Sequence, residues 1–295
     1  MIEQRRLPLS TGITMKVALA GPVDAPPVML VHGFPESHRT WREIVPLLGN
    51  DLRLIMPDLR GFGASDKPQD VADYSTEILV ADLFALADAM GIDRFALAGH
   101  DWGGAIAWAA AIGGNPRIER LAIINSPHPA IFQRSLIDDP AQRAASQYMN
   151  AFRTPGMEQG IARMGLETFF DKSFAKHVEL AAIPPEERAD YIADWGQPGA
   201  LTAMLNWYRA SKIIVPAAGE QAAMPAWVDH VPKIRIPVRV IWGLDDAALL
   251  PVQLEGIGEV GDDVTVVPLA NVGHFAPRQA PDQVAAGLRP FLLPA

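Results

Sequence analysis

Apolar and polar residues along the first part of the chain follow a pattern that predicts strands separated by helices. Runs of aliphatic and β-branched residues at 13–20, 28–32, 52–57, 94–98 and 121–125 are interpreted as strands. Between them, residues 76–90 carry apolar side chains at a helical spacing that Gly91 ends. Strands that alternate with helices favour βαβ units and a parallel sheet.

A different pattern occupies the middle of the chain. Between residues 130 and 231, Pro and Gly separate helical segments at 142–152, 156–170, 186–194 and 201–210, and no convincing strand is found. The alternation then returns with strands at 238–242 and 264–268 and a last helix at 281–293. We therefore predict an α/β core at 1–130 and 231–295 with an all-helical cap inserted at 131–230.

Composition argues against several classes of protein. The chain has 295 residues, a formal charge of -9 and no basic stripe, so we expect no nucleic-acid binding. It has no cysteine, which excludes disulfides, thiol nucleophiles and cysteine-ligated metals. Because we find no apolar signal segment and no apolar run long enough to span a membrane, we expect a soluble, cytoplasmic protein.

The most informative segment is Gly99-His100-Asp101-Trp102-Gly103, which follows an apolar run and precedes a helix of small residues. This order is typical of a nucleophile elbow, a sharp strand-to-helix turn that exposes one side chain. A serine there attacks acyl carbons, whereas an aspartate is suited to attack a saturated carbon and form an alkyl ester. Asp101 is alternatively a helix N-cap, but the flanking glycines favour the nucleophile.

Two further residues complete a candidate triad with the elbow. Asp101, Asp246 and His274 each follow a predicted strand, in the order of nucleophile, acid and histidine found in α/β-hydrolases. Asp245 is the alternative for the acid, and we interpret it as a solvated loop residue. Asn125 follows the strand where some enzymes of this fold carry the acid, but an amide cannot supply the charge that orients an imidazole. A lone histidine is often structural, but the loop after a strand favours a catalytic His274.

Backbone amides near the elbow are candidates for an oxyanion hole. His32-Gly33-Phe34-Pro35 follows a strand, and we predict that the N–H groups of Phe34 and Trp102 bind a developing negative charge. A tight turn alone also explains the Gly and Pro of this segment. Because no metal-ligand spacing of histidines or acidic residues is found, we expect neither a metal nor a cofactor.

Together these segments resemble the epoxide hydrolases of the α/β-hydrolase superfamily over nearly the whole chain. The matching pieces are His32-Gly33-Phe34-Pro35-Glu36-Ser37, Asp58-Leu59-Arg60-Gly61-Phe62-Gly63-Ala64-Ser65, Gly99-His100-Asp101-Trp102-Gly103-Gly104, Asn125-Ser126-Pro127-His128-Pro129 and Leu205-Asn206-Trp207-Tyr208-Arg209. The resemblance implies the α/β-hydrolase fold, a mostly parallel sheet flanked by helices with a helical cap. It also implies conversion of an epoxide to a vicinal diol through an ester on Asp101, which water activated by His274 hydrolyses.

The resemblance assigns a ring-opening tyrosine of the cap to Tyr208. An opening epoxide generates an alkoxide, which is a strong base, and a phenol of pKa about 10 can protonate it. The family usually has a second cap tyrosine, and alignment on Pro155-Gly156 puts Ala151 at that position. Tyr148, one helical turn earlier, is an alternative source of the second phenol. Packing in the cap is the other interpretation of both tyrosines.

The implied partners are a small hydrophobic epoxide and water. We expect their pocket to lie between core and cap, lined by Phe34, Trp102 and Trp207. A monomer or a homodimer and a role in detoxification belong to the same expectation.

Other functions share parts of the pattern. Haloalkane dehalogenases have the Asp elbow followed by Trp, but they usually carry Asn or another halide donor where this chain has Phe34. Fluoroacetate dehalogenases need arginines at the positions of Trp102 and Ile106. An ester hydrolase would have Ser at position 101. A non-enzymatic ligand-binding protein of the same fold is the alternative from another class.

Overall fold

A central sheet of eight strands organises the chain, of which the computed structural model describes residues 2–293. The strands are Glu3–Pro8 (β1), Thr14–Ala20 (β2), Pro27–Val31 (β3), Arg53–Pro57 (β4), Phe95–His100 (β5), Ile118–Ile124 (β6), Val238–Gly243 (β7) and Val264–Leu269 (β8). Their order in the sheet is β1-β2-β4-β3-β5-β6-β7-β8. Strand β2 pairs antiparallel with β1 and β4, and the remaining pairs are parallel. The predicted α/β class with a mostly parallel sheet is therefore confirmed.

Helices fill the connections between the strands. The α-helices are Val45–Leu48 (α1), Thr76–Ala89 (α2), Trp102–Ile112 (α3), Pro129–Asp138 (α4), Pro140–Ala145 (α5), Gln147–Arg153 (α6), Met157–Met164 (α7), Leu166–Phe174 (α8), Pro185–Trp195 (α9), Ala200–Ala210 (α10), Ala276–Gln279 (α11) and Pro281–Leu292 (α12). Short 3₁₀ helices lie at His38–Trp41, Val71–Tyr74, Leu180–Ala182, Ala226–His230, Pro251–Leu254 and Ile257–Glu259. In the part of the chain that the structure describes, no helix is long and apolar enough to cross a membrane.

The central strands are apolar throughout because both faces of the sheet are covered. In β3, Met29 and Val31 belong to one hydrophobic core and Val28 and Leu30 to the other. The first core includes side chains of α2, α3 and the helical block, and the second includes α1 and α12. Successive side chains of a strand point to opposite faces, so an uninterrupted apolar run is what a covered strand requires.

Two local predictions differ from the structure. Strand β1 is missed because its residues are polar and mostly exposed, so this edge strand carries no apolar alternation. The helix predicted over 142–152 is two helices, α5 and α6, with Ser146 between them, and the one over 156–170 is divided into α7 and α8. Gly165, with φ of 88°, makes the second break, since this left-handed backbone does not continue a helix.

Between β6 and β7 the described residues form helices and no named strand, from α4 to the 3₁₀ helix Ala226–His230. This block contacts the core at the carboxyl ends of the parallel strands, through aromatic pairs such as Phe34 with Tyr208 and Trp102 with Tyr208. We propose that it is the inserted cap predicted for residues 131–230.

Candidate active site

Asp101 occupies a strained turn between β5 and α3. Its backbone has φ of 51° and ψ of -121°, a conformation that residues other than glycine rarely adopt. The turn is tight because α3 packs close to β3. A Cβ on Gly103 would lie 2.3 Å from the Val31 carbonyl oxygen and 2.4 Å from that of His32. The glycine after the elbow thus allows the turn that holds the Asp101 side chain away from the helix axis.

The two carboxylate oxygens of Asp101 have different partners. Oδ1 accepts a hydrogen bond of 2.7 Å from the backbone amide of Phe34, and Oδ2 lies 3.5 Å from Nε2 of His274. The side chain is 12% exposed, so a small molecule has access to it. The Phe34 amide therefore points at the oxygen that an oxyanion hole would serve. The amide of Trp102 has no bond to Asp101 among the hydrogen bonds of residues 2–293, and its part in the hole stays a prediction.

His274 lies in the loop after β8, between Asp101 and a buried carboxylate. Its Nδ1 is 2.8 Å from Oδ2 of Asp246. The same oxygen accepts a 2.9 Å hydrogen bond from the side-chain amide of Asn125. Oδ1 of Asp246 accepts from the backbone amides of Ala248 and Leu249 at 2.8 and 2.9 Å. Asp245 is exposed. The structure thus brings Asp101, His274 and Asp246 into one chain of contacts and leaves Asp245 outside it.

Mutual contacts set the charges of these three groups. Burial disfavours the charged form of each of them, but the attraction between the carboxylates and the imidazole outweighs it. The pKa of Asp101 and the pKa of Asp246 are lowered, and the pKa of His274 is raised well above its ordinary value. At neutral pH the resting site therefore holds two carboxylates around a protonated imidazole, and Asp101 is ionised as a nucleophile must be.

Two phenols face the same carboxylate from the helical block. Tyr208 on α10 and Tyr148 on α6 both line the two cavities that Asp101 lines. Burial raises the pKa of both phenols, and the negative charge of Asp101 raises it further. Both are therefore protonated at neutral pH and able to donate a proton.

Aromatic packing holds Tyr208 in place. Its ring makes edge-to-face contacts with Phe34, Trp102 and Phe152 at centroid distances of 5.0, 5.1 and 5.0 Å. Tyr148 is attached to the same group through Phe152, at 5.8 Å. Because Phe34 and Trp102 flank the elbow, this packing fixes the phenols relative to the core.

The position aligned with the family's first cap tyrosine does not face the site. Ala151 lies on α6 with its side chain exposed, whereas Tyr148, one turn earlier, lines both cavities. The alternative of Tyr148 as the second phenol is therefore favoured by geometry, and its role stays a prediction.

Two cavities meet at Asp101, Tyr148 and Tyr208. The smaller, of about 80 Å³, is lined mostly by apolar groups such as Trp102, Phe132 and Leu249. The larger, of about 260 Å³, runs past Phe34 and His274 towards α8. A third cavity, an open groove of about 760 Å³ beside Arg134, is lined by none of the predicted site residues. A substrate that extends into both of the first two cavities would pass Asp101 at the point where the cavities meet.

The prediction that Trp207 lines the pocket needs correction. Its side chain is 1% exposed, and its indole N–H donates a 2.9 Å hydrogen bond to the Arg60 carbonyl. The ring packs against Phe62 and against the back of Trp102. Neighbouring residues on a helix point in different directions, so Tyr208 faces the cavity while Trp207 is turned into the core.

Two residues beside the site were not predicted. Asn125, dismissed as a charge carrier, donates to Asp246 and lies at the end of β6 with φ of 41°. His177, in the turn after α8, lines the larger cavity with its ring centroid 5.4 Å from that of His274. The position of Asn125 after a strand was a usable signal, whereas the sequence around His177 has no motif. Within residues 2–293 no group of three or more His, Asp or Glu residues could hold a metal ion.

Comparison with known proteins agrees with this geometry. A sequence profile of the α/β-hydrolase fold matches residues 26–280. The AB hydrolase superfamily protein YfhM of Bacillus subtilis is 36% identical over 241 residues, which are 81% of this chain and 80% of that protein.

Two solved structures extend the similarity to the whole chain. One is described as a novel epoxide hydrolase of the α/β-hydrolase superfamily from metagenomes of hot environments. It is 44% identical, with a TM-score of 0.91 and 100% of both chains covered. The other is the epoxide hydrolase of Bacillus megaterium with an inhibitor. It is 27% identical, with a TM-score of 0.84, and the match covers 98% of this chain and 99% of that one.

Proposed function

The chain belongs to the α/β-hydrolase fold family and is a hydrolase, and we propose that it opens a small hydrophobic epoxide with water to give a vicinal diol. The observation that carries this proposal is the meeting of an ionised carboxylate, a triad histidine and two protonated phenols at the junction of two cavities. The named activity of the similar proteins supports it.

The first step of the proposed reaction is alkylation of Asp101. One carboxylate oxygen attacks an epoxide carbon, the C–O bond of the ring breaks, and Tyr208 with Tyr148 donates a proton to the released oxygen. The phenols suit this task because burial keeps them protonated until an alkoxide, a stronger base, forms beside them. The product is a hydroxyalkyl ester on Asp101.

The second step is hydrolysis of that ester, and esterification itself prepares the base. In the resting site the charge of Asp101 helps to keep His274 protonated. Conversion of Asp101 to a neutral ester removes that charge, so the pKa of His274 falls, and its proton passes to the tyrosinate left by ring opening, which restores the phenol. The neutral imidazole, oriented by Asp246, then takes a proton from water, which attacks the ester carbon while the Phe34 amide stabilises the oxyanion. The intermediate collapses with cleavage of the bond between this carbon and the alkyl oxygen. The leaving oxygen takes the proton of the added hydroxyl, which releases the diol and restores the Asp101 carboxylate beside a protonated His274.

The tyrosines also separate this proposal from dehalogenation. A halide leaves without a proton and needs N–H donors around it, whereas an alkoxide needs an acid. Phe34 offers no side-chain donor, and both tyrosines face Asp101. We therefore favour the epoxide over the haloalkane as the substrate.

The decisive experiment is intact-mass analysis of His274→Gln after addition of styrene oxide. We expect the protein mass to increase by one substrate mass, because alkylation proceeds and hydrolysis lacks its base. The double variant Asp101→Asn/His274→Gln is the matched control and should gain no mass. An unchanged mass of His274→Gln under saturating styrene oxide would contradict the covalent mechanism, and halide release from a haloalkane without diol formation would favour the dehalogenase.

A further inference from the structure

One wall of the larger cavity changes from apolar to cationic along α8 and the turn after it. Phe169, which packs edge-on against Phe34, lines the part near the core. Lys172, Ser173 and Lys176 follow towards the exposed end of the same wall. Phe169 and Lys172 lie one turn apart on the same side of α8, and Lys176 follows in the turn after the helix.

The charge at this end of the cavity differs from the charge of the rest of the protein. The chain has a formal charge of -9 and only six lysines, and two of the six, Lys172 and Lys176, line this cavity. Among the described residues, no carboxylate forms an ion pair with either lysine. Asp101, at the inner end, is the one carboxylate among the described residues that line the cavity.

The remaining titratable group on this wall is His177. Burial and the charge of the neighbouring His274 lower the pKa of His177 to about 4, so it is neutral at pH 7. Its backbone carbonyl accepts a hydrogen bond from the Gln279 side chain, which ties the turn to α11. The positive charge of the outer end therefore comes from Lys172 on α8 and from Lys176 in the turn that is anchored to the core.

The helix dipole accounts for only part of this arrangement. Basic residues are favoured at a helix C-terminus, and α8 ends at Phe174, between the two lysines. The dipole does not explain why both side chains line the cavity or why neither has an acidic partner.

We propose that the preferred substrate is an epoxide whose larger substituent ends in a carboxylate, with the ring at Asp101 and the carboxylate at Lys172 and Lys176. This proposal rests on the epoxide hydrolase function proposed above and specifies its substrate class. The two ends of such a molecule match the two ends of the cavity, because the apolar stem passes Phe34 and Phe169. The smaller cavity, with its apolar wall of Trp102, Phe132 and Leu249, takes only a hydrogen or a small apolar group.

The test compares the epoxide of undecenoate with its methyl ester, which has the same epoxide and the same chain but no charge. The quantity measured is kcat/KM for the acid divided by kcat/KM for the ester, from diol formation at low salt. We expect this ratio to fall roughly tenfold in Lys172→Gln/Lys176→Gln, since two unpaired cationic groups are lost. In the wild type the ratio should also fall as salt is raised.

Two control variants separate a local site from the total charge of the protein. Lys212→Gln/Lys233→Gln removes the same charge from exposed lysines outside the cavity and should keep the wild-type ratio. Lys172→Arg/Lys176→Arg keeps both charges and should retain most of the preference. A ratio that is unchanged in Lys172→Gln/Lys176→Gln would overturn the proposal for the substrate class. No diol from either compound would instead contradict the epoxide hydrolase function.

Discussion

The core and the helical block supply their site residues by different physical means. In the core, Asp101, Asp246 and His274 follow β5, β7 and β8, and the backbone of a parallel sheet brings the ends of these strands together. In the helical block, Tyr148 and Tyr208 lie on two helices, and their positions depend on aromatic packing against Phe34, Trp102 and Phe152. Backbone geometry therefore places the proposed nucleophile, whereas side-chain packing places the proposed acids.

This difference has a consequence for substitutions. A change at the elbow alters the sheet and the turn together, so stability and catalysis should fall together. A change on a helix of the block can remove a functional group without disturbing the fold. Substitutions in the two regions should therefore differ in how closely the loss of activity follows the loss of stability.

The largest effect is expected from the phenols. Tyr208→Phe combined with Tyr148→Phe should lower kcat for styrene oxide by about 10²–10⁴, the usual contribution of a general acid, because no proton donor to the alkoxide remains. The melting temperature should change little, since the rings and their packing stay. Each single variant should lose less than the double variant. Diol formation and circular dichroism measure the two quantities.

The exposed side of α6 provides the control for this pair. Ala151→Tyr puts a tyrosine at the aligned position, where the side chain is exposed, and it should neither raise the rate nor rescue Tyr148→Phe. Rescue by Ala151→Tyr would show that the second phenol is wrongly assigned, and full activity of the double tyrosine variant would contradict both tyrosines as the acid.

A pair of glycines tests the contrast in stability. In Gly103→Ala the new methyl group meets two carbonyl oxygens of the β3 region, so the free energy of unfolding should fall by about 1–3 kcal/mol, with loss of activity. Gly160 lies inside α7, and a Cβ there would meet nothing within 4 Å. Gly160→Ala should therefore stabilise the protein by about 0.5–1 kcal/mol. Urea unfolding measures the free energy of unfolding of both variants. Equal changes in Gly103→Ala and Gly160→Ala would contradict the difference between the core and the helical block.

The smallest effect expected is a change in titration. Asp101→Asn removes one of the two carboxylates that favour the charged imidazole, so the pKa of His274 should be lower than in the wild type. Because the raised pKa stabilises the protonated fold, this contribution is complete below the unfolded pKa of about 6.5 and disappears as pH rises through the folded pKa. In Asp101→Asn the loss should begin at the same unfolded pKa but be complete at lower pH, and the contribution itself should be smaller.

Imidazole NMR signals across a pH titration measure this shift directly. Asp245→Asn is the matched control, since it removes a neighbouring charge that is exposed and outside the triad. A pKa of His274 that is the same in Asp101→Asn and in the wild type would contradict the proposed coupling between the nucleophile and the base.

Much of the core could be predicted because its signals are local. A covered strand needs an apolar run, and a nucleophile elbow needs small residues around one functional side chain. These requirements appear in consecutive residues at 95–104. Strand β1 was not predicted because an exposed edge strand does not need an apolar run. Most helices of the block were predicted, but α4 was not among the predicted segments, and the breaks at Ser146 and Gly165 were not predicted either.

The side chains that face the site from the block could not be predicted in the same way. Tyr148 and Ala151 lie one turn apart on α6, and the sequence does not say which of them faces Asp101. Trp207 and Tyr208 are neighbours on α10, and the tryptophan, expected in the pocket, is turned to Arg60 instead. The rotation of each helix depends on partners far away in the chain, such as Phe34 and Phe62.

The sequence by itself thus determined the fold class, the elbow at Asp101 and the order of the triad candidates, because strand ends and tight turns impose their needs on adjacent residues. Only the tertiary structure decided which tyrosines face the carboxylate, that Asn125 donates to Asp246, and that two lysines line the outer end of the cavity. These features depend on contacts between distant segments, and packing energy rather than local pattern selects them.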